Sequence, residues 1–195
     1  MRFALFFGNR GFFPGELIAS AREEVKAAVE NKGFETILLS SELTRFGAVE
    51  TPAEGKIYAE FLKENEGKFD GVIMSLPNFG DETGAISALR DCGVPILIQA
   101  YPDEIGKMDF SQRRDAFCGK FSIMDVFYQG NLPFTVFEPH VVHPSSEIFS
   151  GHLPKRTNDP HPRFFPDGQF DGQEGDGPDK EKYDPGKHKR AASKL

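Results

Sequence analysis

The chain has 195 residues, 38% of them hydrophobic and 27% charged, which suits one soluble globular domain with room for a tail. Its formal net charge of −7 argues against nucleic acid or an anionic membrane surface as partner, because both attract basic proteins. No apolar run approaches the roughly 20 residues of a membrane span, and the opening MRFALFFGNR lacks the pattern of a cleaved leader.

In chain order, the first strand is expected over Phe3–Phe7. A helix follows from about Glu16 to Asn31, with Leu17, Ala21, Val25, Ala28 and Val29 on one face and Gly33 as its stop. Strand two spans Thr36–Leu39. The next helix opens at Thr51-Pro52-Ala53-Glu54, where Thr51 can cap, Pro52 suits the first turn and Glu54 can reach back. Ile57, Phe61 and Leu62 form its inward stripe. Strand three is Gly71–Leu76, and a helix from about Glu82 to Asp91 follows, turning Ile86 and Leu89 inward and stopping at Gly93. Strand four is Pro95–Gln99. A fourth helix is expected to open at Asp109, boxed by Gln112, and to continue through Phe117, Phe121, Met124 and Tyr128 at helical spacing. Strand five is Phe134–Phe137.

These strands are continuous apolar runs rather than alternating ones, as expected when both faces are covered. The order βαβαβαβαβ implies a three-layer α/β fold of flavodoxin- or Rossmann-like type: a five-stranded parallel sheet with right-handed crossovers and strand order 2-1-3-4-5. The domain is expected to cover 1–149. Beyond it, 150–195 reads as a polar tail: from 151 onward there are six Gly and six Pro, eight acids against nine Lys and Arg, and only Leu153 and Leu195 as large aliphatics. Such a segment cannot offset its chain entropy and is expected to be disordered, with Phe164, Phe165 and Phe170 as its adhesive residues. The Lys187-His188-Lys189-Arg190 cluster is read as a solvated tail end.

Ligands of such sheets bind beyond the carboxyl ends of the strands, near the switch point between strands one and three. After strand one comes Gly8-Asn9-Arg10-Gly11, where Arg10 is either a fork of donors for hydroxyl or carboxylate groups or a solvated turn residue. After strand three comes Pro77-Asn78-Phe79-Gly80-Asp81-Glu82. An amide, an aromatic face and two acids together suit a sugar, whose C–H faces stack and whose hydroxyls need partners; alternatively Asp81 caps the helix and Phe79 packs inside. Gln99 ends strand four and is expected to face the same cleft. After strand five, Glu138, His140 and His143 invite a metal, but two histidines three apart in an extended segment point to opposite faces, and no metal site is expected. Cys92 and Cys118 form no disulfide framework; both are read as ordinary buried residues, and the cytoplasm as the compartment.

Other chemistries lack their motifs. There is no G-x-G-x-x-G after strand one and no G-x-x-x-x-G-K-[ST] anywhere. The first loop lacks the hydroxyl residues of a flavin-phosphate site, Phe6 and Phe7 stand where a phospho-receiver needs acids, and no serine sits in a G-x-S-x-G elbow.

The stretches AVETPAEGKIYAEFL, DGVIMSLPNFGDETGA, VPILIQAYPDE, RRDAFCGKFSIMDVFYQ and LPFTVFEPHVVHP resemble the N-terminal region of the L-fucose/L-arabinose isomerase family, most closely its fucose-isomerase-like members. The resemblance covers 1 to about 149. It implies a domain of a cytosolic aldose–ketose isomerase that uses a Mn²⁺-type ion and an ene-diol proton transfer, with the metal held by later domains and none bound by this chain. It further implies packing against a neighbouring subunit of an oligomer, and sugar contacts from an arginine after the first strand and an aromatic after the third, positions held here by Arg10 and Phe79. Asn78 and Gln99 complete the expected substrate-binding set. Isomerisation needs a general base and a Lewis acid, neither of which can be located in 1–149, so the chain is expected to be a truncated domain, inactive alone, or to pair with a separate catalytic chain. The alternative is a stand-alone flavodoxin-like module that binds a small molecule.

Overall fold

The structure, a computed structural model, describes residues 1–154. The tail residues and the basic cluster singled out above lie outside the described residues.

Five strands form one sheet: β1 (Arg2–Phe7), β2 (Glu35–Leu38), β3 (Gly71–Leu76), β4 (Ile96–Ala100) and β5 (Thr135–Val136). Their order is β2-β1-β3-β4-β5, and every pairing is parallel. This is the doubly wound arrangement expected from the sequence. The central strands carry the longest apolar runs because both of their faces are covered: every residue of β3 and β4 is buried.

Side-chain alternation along the strands builds two cores. On one face Phe3, Leu5 and Phe7 of β1 meet Ile18, Val25 and Val29 of α1 (Glu16–Glu30). On the other, Ala4, Phe6, Val72 and Met74 meet α2 (Pro52–Glu64), α3 (Glu82–Leu89) and α4 (Ala116–Gln129). Tyr58 and Leu62 of α2, Leu89 of α3, and Ile123 and Phe127 of α4 are the helical members of that core. The two-residue strand β5 ends the sheet beside β4.

The local start signals at α2 and α3 work as expected. Thr51 Oγ1 accepts the Glu54 N–H at 3.3 Å, and Glu54 reaches back to the Glu50 N–H at 2.7 Å. Asp81 Oδ1 accepts the Gly84 N–H at 2.7 Å.

Four expectations need correction. In α1 the buried stripe runs through Ile18 rather than Leu17. α4 opens at Ala116, not Asp109. Asp109 does cap a turn, taking the Ser111 N–H on its carboxylate at 2.9 Å and the Gln112 and Arg113 N–H groups on its carbonyl. Asp103 Oδ1 then accepts the Arg114 and Asp115 N–H groups at 3.0 and 3.2 Å and holds the backbone away from helix, with Asp115 at φ 48. A long-range acceptor therefore overrides a local box. Third, the expected boundary at 149 falls inside a further helix, α5 (Glu147–His152), capped by Ser146. Phe149 stacks on Phe137 at 5.3 Å, and Leu153 is buried, so packing continues through the segment. Fourth, Cys118 is exposed rather than buried. Phe117, Phe121 and Tyr128 keep the expected helical spacing and lie on the outward face of α4, whose buried side is Ala116, Gly119, Lys120, Ile123 and Phe127.

Candidate functional site

The carboxyl ends of β1 and β3 diverge where α1 leaves to one face and α3 to the other, and the two following loops meet there. Gly8 N–H donates to the Ser75 carbonyl at 3.0 Å, extending the β1–β3 ladder by one rung. Gly80 sits at φ 77, a conformation that favours glycine, and a Cβ at Gly8 would collide with Leu76 Cδ2 at 2.7 Å. The glycines thus let the two loops touch.

Arg10 and Phe79 come together there. The Arg10 guanidinium lies 4.6 Å over the centre of the Phe79 ring, a cation–π contact. Arg10 Nε donates to the Gly80 carbonyl at 2.9 Å, and its terminal nitrogen pairs with Glu82 and lies 3.7 Å from Asp81. Glu82 also accepts from Ser122 Oγ of α4. Phe79 is partly exposed and stacks on Phe13 at 5.9 Å. Phe13 adjoins Phe12, which stacks parallel to Phe110 at 6.3 Å; both outer rings are more than half exposed. A guanidinium and an aromatic ridge therefore share one rim.

Asn78 belongs to the same place but is fully buried. Its carbonyl oxygen accepts from the Arg10 and Gly80 N–H groups, each at 3.3 Å, and its amide nitrogen donates to Asn9. Asn9, also fully buried, donates onward to Glu50. Asn78 is thus the clasp that sets the Arg10 and Phe79 loops rather than an open donor. Gln99, expected to face the cleft, does not: it is fully buried, accepts from Ser75 Oγ at 2.6 Å and donates to the Val142 carbonyl at 2.6 Å. Its side chain staples β3, β4 and the segment after β5, since Ser75 is its register partner on β3 and both side chains stand on the same face.

His140 and His143 diverge to opposite faces. The His140 ring packs on Phe121 of α4 at 5.1 Å. His143 packs edge-on to Tyr101 at 5.2 Å and lies 3.5 Å from Glu24 of α1. Tyr101 donates to that same carboxylate at 2.8 Å; burial pushes its hydroxyl pKa up, so it stays protonated. Among the described residues no three His, Cys, Asp or Glu side chains converge where they could hold a metal ion, so these residues do not fit the Mn²⁺-type ion that the resemblance implies. Cys92 donates weakly to the Val94 carbonyl, and burial raises its pKa, the opposite of what a nucleophile needs.

Lys120 escaped the sequence reading. It is fully buried on α4 and donates to the His140 carbonyl at 2.8 Å; burial lowers its pKa to about 8, against a smaller opposing pull from Glu138. A lysine at an inward helical position was the available signal. The Phe12-Phe13 pair directly after Gly11 was the signal for the ridge. Two concavities of about 430 and 590 Å³ lie at the opposite, amino-terminal rim, the first beside α2 and α3, the second beside the start of β5. Their linings include Cys92 and Val94 but none of the residues that meet at the switch point, from which both lie away.

Sheet order, buried central strands and a converging rim define a doubly wound α/β domain whose loops meet at the carboxyl ends of β1 and β3. The family described as fucose/sulfoquinovose isomerase, N-terminal domain, matches residues 4–155, and the chain belongs to it. No curated protein matches the chain.

Proposed function

We propose that this chain is the substrate-contacting and subunit-packing domain of a cytosolic aldose–ketose isomerase acting on L-fucose- or L-arabinose-type sugars, and that it does not isomerise sugar alone. The observation that carries the reading is the Arg10 guanidinium over the Phe79 ring at the switch point. Arg10 supplies N–H donors to sugar hydroxyls, and the partly exposed Phe79 ring and the exposed Phe12 and Phe110 rings supply apolar faces for C–H groups. Asn78 and Gln99 act one step back: Asn78 sets the loop that carries Phe79, and Gln99 fixes the sheet beneath it. Moving a proton between adjacent carbons needs a base and a group that takes up charge on oxygen. A Mn²⁺-type ion would supply the latter from a domain or chain other than this one, with a homo-oligomer or a separate catalytic chain as partner.

The experiment is turnover of L-fucose and L-arabinose by the purified chain with Mn²⁺. No turnover above the protein-free blank is expected, and robust turnover would refute the inactive-alone assignment. Calorimetry with the same sugars and with nucleotides separates this reading from a stand-alone binding module: tight nucleotide binding with no sugar response would favour the module.

A further inference from the structure

The family spans two chemically different substrates, a neutral deoxy sugar and one that carries a sulfonate. We propose that the rim of this chain serves an uncharged sugar and rejects sulfonated or phosphorylated ones. The inference rests on the sugar-contacting role argued above and goes further by assigning the charge class.

The loops at the carboxyl ends of the strands span 8–15, 39–51, 77–81, 101–115 and 137–146, and Glu82 at the start of α3 is counted with them. They hold five Lys and Arg against nine Asp and Glu. Each of the five cations has a carboxylate beside it. Arg10 has Glu82 and Asp81, and Arg45 lies 3.6 Å from Glu50. Lys107 and Arg114 share Glu104, at 2.5 and 2.9 Å, and Arg113 lies 3.2 Å from Asp115. Two further cations reach this end from helices and are spent on backbone carbonyls: Arg22 on Gly47 and Leu39, and Lys120, fully buried, on His140.

A sulfonate or phosphate is bound by cations whose charge is free to meet it, commonly a guanidinium in bidentate contact. Here the guanidinium over Phe79 is already neutralised by two carboxylates. An anion meeting it would bring a new like charge beside Asp81 and Glu82, the latter a partly buried carboxylate whose other partner is Ser122. The acidic excess of the surrounding loops also repels an approaching anion. A neutral sugar meets none of this. Its hydroxyls accept from guanidinium N–H groups that remain paired, and an apolar methyl or C–H face meets the exposed Phe12 and Phe110 rings.

The test titrates the ¹⁵N-labelled 195-residue chain with L-fucose and, separately, with sulfoquinovose at low salt, reading the Arg10 Nε–H, the Gly8 and Gly80 amides and the Phe79 ring. L-fucose is expected to shift these signals saturably, with sulfoquinovose at least about ten-fold weaker, since like-charge juxtaposition is strongly disfavoured. Glu82→Gln is expected to narrow that gap by raising sulfoquinovose affinity at least about five-fold. Equal or tighter binding of sulfoquinovose by the unaltered chain overturns the inference and leaves the sugar-contact role standing. A gap unmoved by Glu82→Gln in a folded variant, judged by its amide dispersion, overturns it too. No saturable shift at Arg10 or Phe79 with either sugar overturns the sugar-contact role itself. The comparison in the unaltered chain does not depend on the variant's folding.

Discussion

Replacing Arg10 by alanine removes one guanidinium and leaves two carboxylates, Asp81 and Glu82, without their shared cation. Glu82 keeps Ser122, and the loop keeps its Asn78 clasp, so the fold should survive with a loss of about 1–2 kcal/mol. The expected result of Arg10→Ala is therefore weaker sugar binding in any assembled complex with a modest fall in denaturant midpoint. Unchanged sugar binding would make Arg10 a bystander. Tyr58 offers the opposite case. Its ring is fully buried, edge-on to Phe6 at 5.0 Å, and its hydroxyl has no hydrogen-bond partner. A buried unmet hydroxyl is a net burden, so Tyr58→Phe should leave stability unchanged or raise it by up to about 1 kcal/mol. Chemical denaturation reads this directly, and a loss greater than that would mean the hydroxyl is bonded in solution.

At the scale of elements, α4 is held by its buried Ile123 and Phe127 and by Ser122 on Glu82, and two further ties stand out, one close approach and one buried amine. Gly119 lies against the Phe79 backbone, and a Cβ there would overlap the Phe79 carbonyl. Gly119→Ala must push the helix off the Phe79 loop, so a destabilisation of about 2 kcal/mol or more is expected, with the Arg10–Phe79 contact disturbed. A wild-type unfolding curve for that variant would refute the packing. Lys120 ties α4 to the segment after β5 and makes stability depend on pH. Its pKa falls from 10.5 in the open chain to about 8 in the fold, so between those values the unfolded chain holds more protons than the folded one. Stability should then rise with pH through the window from about 8 to 10.5, by roughly 2–3 kcal/mol from this group at most. Below about pH 8 the burial penalty is present in full. The increment should vanish in Lys120→Met, and urea midpoints taken across the window in both proteins provide the check.

The whole molecule is a sheet with two cores and a rim, and these three parts were not equally legible in the sequence. The continuous apolar runs at Gly71–Leu76 and Pro95–Gln99 sufficed for a parallel sheet, because only strands covered on both faces can be so uniformly apolar. The alternation of strands and helices, with right-handed crossovers, then left few strand orders, and 2-1-3-4-5 is the one observed. The glycines after β1 and β3 placed Arg10 and Phe79 on one rim. Other features were decided by contacts between residues far apart in the chain. Asp103 overrode the box at Asp109 because a backbone N–H goes to whichever acceptor the fold brings near. Asn78 and Gln99 were buried by loops and segments from elsewhere in the chain, which turned expected sugar contacts into internal clasps. The neutralisation of Arg10 by Glu82 also awaited the tertiary structure, since the sequence places them 72 residues apart. Local patterns fix which elements form and which way each faces, because those depend on neighbours within a turn or a strand. Burial, pairing and charge balance at the rim depend on residues that only the completed sheet brings together.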